Sequence, residues 1–295
     1  MNRTDPSRTD PFPLDRILLI RLRRIGDIVM TTPAVEILKA ALPAASLTYV
    51  VEEPYRRLVE GHPCLDKVIV IEKNQTFRDF RRVVRRIRKK RYDAVLDFHG
   101  GPRASLLALL SGARLKIGYK VKYKSCIYHI KVPRGVKNGY VHSVENHVNL
   151  VKALGVGVAG IPPASLPPPL PADVRAIDDF FEKHELRNRK VVALHIGAGN
   201  RFRDWGTANI ARLATCLARL PGTSVVLIGG DEDRAAEKDI LAASPASVLS
   251  LAGRIDLIGV KELISRAALF VGPDSEPMHI AAATATPIVA FFGPT

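Results

Sequence analysis

Three segments of the chain hold residue types that can bind and activate a phosphorylated ligand. In the first, an apolar run at 17–20 leads through Arg21, Arg23, Arg24 and Gly26 to Asp27, ahead of a helical pattern that carries Thr31, Thr32 and Pro33. Gly26 suits a tight turn, and Asp27 stands where a carboxylate would project from the end of a strand into a cleft. On residues alone two roles fit Asp27: a helix cap worth about 1 kcal/mol, or a general base.

In the second segment an apolar strand at 191–196 empties into Gly197, Ala198, Gly199 and Asn200, followed by Arg201, Arg203 and Trp205. Small residues let the backbone approach an anion, and arginines hold phosphate oxygens bidentately. The third segment reads as a buried strand near 268–272, the turn Asp274, Ser275, Glu276, and a helix carrying His279. A turn of this kind at the carboxyl end of a parallel strand aims backbone N–H groups at a phosphate. His279 either faces that crevice or packs beside it, and His195 and His99, near strand ends, have weaker claims. Another strand, 225–230, ends at Asp231, Glu232 and Asp233. Such a pattern can chelate a divalent ion, enrich a helix's first turn in acid, or accept from ribose hydroxyls. Without a supporting histidine or carboxylate cluster, ribose is favoured over metal.

These residues need elements to hold them. Short apolar runs alternate with helical patterns, with strands expected near 16–22, 46–51, 67–72, 93–98 and 114–118, and again near 190–196, 223–229, 247–251, 268–272 and 287–292. That rhythm is the mark of βαβ units and parallel sheets. Residues 155–173 carry Pro162, Pro163, Pro167, Pro168, Pro169 and Pro171 and read as an interdomain linker. The expected organisation is an extended tail at 1–15, a first domain at 16–154, the linker, and a second domain at 174–295. Both domains are α/β and doubly wound, Rossmann-like, with a cleft between the carboxyl ends of their sheets.

A net charge of +15 is concentrated in the first half. The stretch from Arg78 to Arg91 holds nine Lys or Arg, while Phe80, Val83, Val84 and Ile87 recur at helical spacing. This is an amphipathic helix with a cationic outer face. A solvated face, an anionic membrane surface and nucleic acid would each suit it, and the scarcity of interleaved aromatic residues disfavours nucleic acid. Cys64, Cys126 and Cys216 have no paired spacing, so neither disulfides nor zinc are expected. No signal peptide or membrane span is read, which points to a cytoplasmic protein.

Taken together the motifs resemble glycosyltransferase family 9, the lipopolysaccharide heptosyltransferases. The likeness rests on 17–27 with Thr31, Thr32, Pro33 and Ala34; on 92–97 with Gly100, Arg103, Ala104 and Ser105; on 195–205; and on 272–279 with the closing Phe292, Gly293, Pro294 and Thr295. The resemblance implies the GT-B fold and inverting transfer of a heptose from ADP-heptose to a lipid-linked inner-core saccharide. It implies that Asp27 is the general base and that Gly197, Ala198, Arg203, Glu232, Asp274, Ser275, Glu276 and His279 bind the donor. Arg21, Arg24, Gly26 and Arg103 then fall on the acceptor side. No cofactor and no metal are expected. The protein would work as a monomer, held peripherally on the anionic inner leaflet by the cationic helix.

Two features stand apart from the family pattern. Glu276 occupies a turn position that is usually glycine, and the chain stops at Thr295 where members continue into further helices. Two other readings therefore stay open: a nucleotide-sugar 2-epimerase of the same architecture, and a non-catalytic nucleotide-binding protein at a membrane surface.

Overall fold

The computed structural model describes residues 13–121, 126–135, 141–197, 199 and 203–293. They form two compact units. The first comprises the chain up to Arg23 together with Pro33–Arg56 and Pro63–Pro162, and the second comprises Arg24–Thr32, Arg57–His62 and the chain from Pro163 onward.

In chain order the elements are β1 (Arg16–Ile20), α1 (Ile25–Val29), α2 (Thr32–Ala41), β2 (Ser46–Glu52), β3 (Lys67–Ile71), α3 (Phe77–Lys89), β4 (Ala94–Asp97), α4 (Pro102–Leu110), β5 (Leu115–Tyr119), β6 (Ile130–Val132) and α5 (Ser143–Lys152). There follow α6 (Pro171–Lys183), β7 (Lys190–His195), α7 (Thr207–Ala218), β8 (Thr223–Ile228), α8 (Arg234–Ala242), β9 (Val248–Ser250), α9 (Leu257–Arg266), β10 (Leu269–Pro273), α10 (Glu276–Ala281) and β11 (Ile288–Phe291).

The first unit holds a six-stranded sheet in the order β3-β2-β1-β4-β5-β6, and the second a five-stranded sheet in the order β11-β10-β7-β8-β9. Their ladders are parallel. Strand order reverses between β1 and β4 in one sheet and between β7 and β10 in the other. At such reversals neighbouring loops part and leave a crevice.

α3 shows how sequence becomes packing. The Thr76 hydroxyl accepts from the Asp79 amide at 3.2 Å and caps the helix. Phe80, Val83 and Val84 then lie against a core that contains Leu18, Val50, Ile69, Ile87 and Leu107. Ile87 is fully buried, worth about 1.5–3 kcal/mol. The arginines of the same helix form its exposed side.

One finding differs from the sequence reading: β6 does not stand out there, because three residues inside a basic stretch carry too little alternation. The boundary between the two units falls between Pro162 and Pro163, within the stretch read as a linker, and that stretch is tied down. Ser165 donates its amide to the Thr32 hydroxyl at 3.0 Å, and Lys261 Nζ donates to the carbonyl of Pro167 at 2.8 Å. Arg57 joins Asp173 at 2.6 Å and Asp256 at 2.8 Å. Pro171 opens α6, since a first-turn proline lacks only an amide that would find no helical partner anyway.

Candidate functional site

The second unit assembles its polar residues at the reversal between β7 and β10. His195 ends β7, and its Nδ1 lies 3.0 Å from the hydroxyl of Ser275, the residue ahead of α10. Both are buried. Burial pushes the His195 imidazole down to about 4, so the ring is neutral near neutral pH. Arg203 grips the turn from the other side, with Nη1 3.0 Å from the Asp274 carboxylate and 3.2 Å from the Asp274 carbonyl. Its buried Nε makes no hydrogen bond among the described residues.

α1 belongs to this unit rather than to the first, which departs from the expected domain division. The cause is visible at Gly26. A Cβ built there would lie 2.3 Å from the His279 ring, so only glycine lets α10 approach α1 this closely. Gly26, expected at a tight turn and on the acceptor side, also lines a cavity beside Asp27 and allows this close approach. The chain enters α1 through Arg24 at φ 71°, a backbone region costly for a side-chain-bearing residue. At that helix start the amide of Ile25 donates to Glu276 Oε1 at 3.4 Å.

Two cavities follow. One of about 550 Å³ is lined by Arg24, Asp27, Arg203, Asp274, Glu276 and His279 among others. Another of about 400 Å³ is lined by His195, Gly197, Glu232, Asp233, Ile255 and Leu257 among others, and both are bordered by Ser275 and Glu276. The structure thus brings Asp27, Arg203, Asp274, Ser275, Glu276 and His279 together, with Gly197 and Glu232 beside them. Ala198 lies outside the described residues.

The acid turn after β8 divides its labour in a way that spacing did not reveal. Asp233 Oδ2 accepts from the Gly230 amide at 2.9 Å, and a Cβ at Gly197 would fall 2.3 Å from Asp233 Oδ1. Burial pushes the Asp233 carboxyl up, against the pull of that amide. Glu232 is exposed at the cavity wall. No cluster of three or more metal-ligating side chains occurs among the described residues.

Two acceptor-side expectations meet a different geometry. Arg21 is buried and donates to the Phe98 carbonyl at 2.9 Å, inside the first unit. Arg103 bonds the Glu52 carboxylate at 3.0 Å, the Lys73 carbonyl at 3.1 Å, the Gln75 side chain at 2.8 Å and the Glu72 carbonyl. It clamps the loop after β3, and reaching a ligand would require breaking those bonds.

A buried network in the first unit escaped the sequence reading altogether. Asp97, fully buried, accepts from the amides of His99 and Gly100 at 2.9 and 2.8 Å and from the Tyr128 hydroxyl at 2.5 Å. Burial pushes its carboxyl up while these donors pull it down. Nearby, His147 Nδ1 lies 2.7 Å from the Tyr119 hydroxyl, and burial above all, with the charge of Arg21, pushes its ring down to about 3. Tyr128 is too far along the chain from Asp97 for any motif to link them.

The two depressed histidines set an acid dependence. In the unfolded chain each titrates near about 6.5, so as pH falls through that value the unfolded chain gains protons that the fold refuses. Stability is complete above this value and declines toward about 4 for His195 and about 3 for His147. Asp97 acts in the opposite sense, since acid relieves its buried charge. At about pH 5 each histidine should withdraw on the order of 2 kcal/mol relative to neutral pH. Thermal unfolding followed by circular dichroism should show a lower midpoint at about pH 5 than at about pH 7. His147→Gln should flatten that dependence; an unchanged dependence would refute the assignment.

Comparison with known proteins agrees with this picture. The family model for glycosyltransferase family 9 (heptosyltransferase) matches residues 80–295. The chain is similar to lipopolysaccharide heptosyltransferase 3 of Escherichia coli, 26% identical over 93% of this chain and 82% of that protein. Among solved structures it is similar to a family 9 glycosyl transferase of Veillonella parvula, with TM-score 0.86, 24% identity, and 96% and 82% of the two chains covered. It is likewise similar to the ADP-heptose lipopolysaccharide heptosyltransferase II of E. coli, with TM-score 0.81, 24% identity, and 95% and 85% covered. These likenesses show the GT-B fold that the sequence resemblance implied.

Proposed function

The chain belongs to glycosyltransferase family 9 and is a glycosyltransferase, and from that premise we propose that it moves a heptose from ADP-heptose to an inner-core lipopolysaccharide acceptor with inversion at the anomeric carbon. The observation that carries this reading is the cavity shared by Asp27, Arg203 and the Asp274–Ser275 turn. An inverting transfer needs one base and strong stabilisation of a departing diphosphate, and a carboxylate, a guanidinium and a helix-opening turn lining one cavity support that assignment.

In this reading Asp27 takes the proton of the acceptor hydroxyl as its oxygen bonds to the anomeric carbon and the bond to the diphosphate breaks. ADP leaves with the electron pair. The Arg203 guanidinium and the amides at Ser275 and Glu276 meet the diphosphate oxygens, with His279 behind them. Glu232, exposed beside Gly197, accepts from the ribose hydroxyls. Arg24 is the acceptor-side cation that lines the cavity. Two of the relatives named above are called heptosyltransferases, one of them with ADP-heptose in its name, which supports the choice of donor.

The enzyme works as a monomer on the cytoplasmic side of an anionic membrane, where the cationic side of α3 holds it to the inner leaflet. Among the described residues no helix is long and apolar enough to cross a membrane. Incubation with ADP-heptose and a heptose-deficient inner-core acceptor should yield ADP and one added heptose. UDP-linked sugars should give little product. Sugar epimerisation in the absence of acceptor, or ADP release with no acceptor product, would overturn the assignment.

A further inference from the structure

Parallel register in the first sheet aligns Arg16 with Ser46 and Thr48 with Lys67, all on one face. One step further along the same face come Leu18, Val50 and Ile69, which belong to the apolar core beneath α3 and α4. The helix-covered face therefore turns from apolar to polar at the amino ends of its strands. A cavity of about 290 Å³ opens there, lined by these four polar residues, by Lys89 and Lys90 at the end of α3, and by Tyr92.

Its chemistry is one-sided. Four of the lining side chains are cations and none is a carboxylate. Of the three acidic neighbours in sequence, Asp15, Asp66 and Asp93, the latter two bond either groups outside the cavity lining or the main chain. Asp66 Oδ2 lies 3.1 Å from Lys39 Nζ and 2.8 Å from the Leu47 amide, and Asp93 Oδ2 accepts from the amides of Asp15 and Arg16 at 3.0 and 2.9 Å. Arg16 is itself held in place, with Nη1 donating to the Lys90 carbonyl at 3.1 Å. The inner wall is built rather than loose: Thr48 and Tyr92, which line it, are both buried. Cations gathered around hydroxyls, with no carboxylate in the lining, suit a multiply charged oxyanion.

We propose that this cavity is a phosphoryl-binding site, for a phosphomonoester or the end of a diphosphate, separate from the cavities beside Asp27. Ligands of parallel sheets ordinarily sit at the carboxyl ends of strands, so a cationic cavity at the amino ends has no part in the chemistry described above. Lys89 and Lys90 continue the cationic surface of α3, so the phosphoryl group can come from a lipid headgroup as readily as from solution.

Isothermal titration of the full chain with inorganic pyrophosphate tests this. The titration is made in an Arg203→Ala background, which removes the main phosphate ligand of the other cavity. Saturable binding is expected, weakening as salt is raised. The combined Lys67→Ala and Lys90→Ala change should weaken it at least about tenfold, with circular dichroism unchanged because both lysines are exposed. Equal affinity with and without the two lysines, or no saturable binding to begin with, overturns the proposal. Flotation with vesicles of phosphatidic acid or phosphatidylglycerol at matched surface charge identifies the source. A phosphatidic acid preference that vanishes with the two lysines assigns a lipid headgroup; pyrophosphate binding without that preference assigns a soluble anion. Neither arm uses transfer activity, so failure here leaves the transferase reading standing, and the reverse.

Discussion

Asp27→Asn is expected to lower the transfer rate by about two to four orders of magnitude, the usual contribution of a positioned base. Asparagine keeps the shape of the side chain in the first turn of α1 but cannot take a proton. The Km for donor should change little, because the diphosphate contacts belong to Arg203 and the turn before α10. Removing an acid from the first turn of a helix costs only about 0.3–1 kcal/mol, so the unfolding midpoint should barely move. Asp274 and Glu276 line the same cavity; Asp274 is paired with Arg203, which makes Glu276 the rival to test. Steady-state kinetics of Asp27→Asn beside Glu276→Gln separates the two. Full turnover in the first with loss in the second would transfer the base assignment to Glu276.

The sequence made most of this architecture readable because its central strands are buried on both faces and its helices are periodic. Every strand read from the apolar runs has a counterpart in the two sheets, and α3 lies where Phe80, Val83, Val84 and Ile87 required it. What escaped depends on contacts between distant residues. The attachment of α1 to the second unit follows from the contact of Gly26 with His279, and no local pattern encodes that. Arg21 and Arg103 look alike as cations in a motif, yet one is buried against a carbonyl and the other clamps a loop. Their types were legible and their partners were not. The turn at 274–276 was legible for the opposite reason: the glycine-free helix start and its flanking strand are contiguous in the chain.

That turn carries the second large effect. Glu276→Gly is expected to raise ADP affinity, even though it removes a contact that the fold makes. The Glu276 carboxylate accepts from the Ile25 amide at 3.4 Å, at a helix start where Arg24 supplies no side-chain cap. It also borders both cavities, where a bound diphosphate would meet it. Two like charges at about 4 Å repel by about 1–4 kcal/mol between aqueous and intermediate dielectric, equivalent to about fivefold to several hundredfold in Kd. Losing the acceptor for Ile25 should cost about 1 kcal/mol of stability. Glycine should therefore bind ADP more tightly while unfolding at a lower temperature. Glu276→Gln removes the charge and keeps the acceptor, so it should retain most of the gain in affinity without the loss in stability. If calorimetry finds ADP bound no better by either variant, the carboxylate does not face the diphosphate, and the anion-binding role of the turn before α10 fails with it.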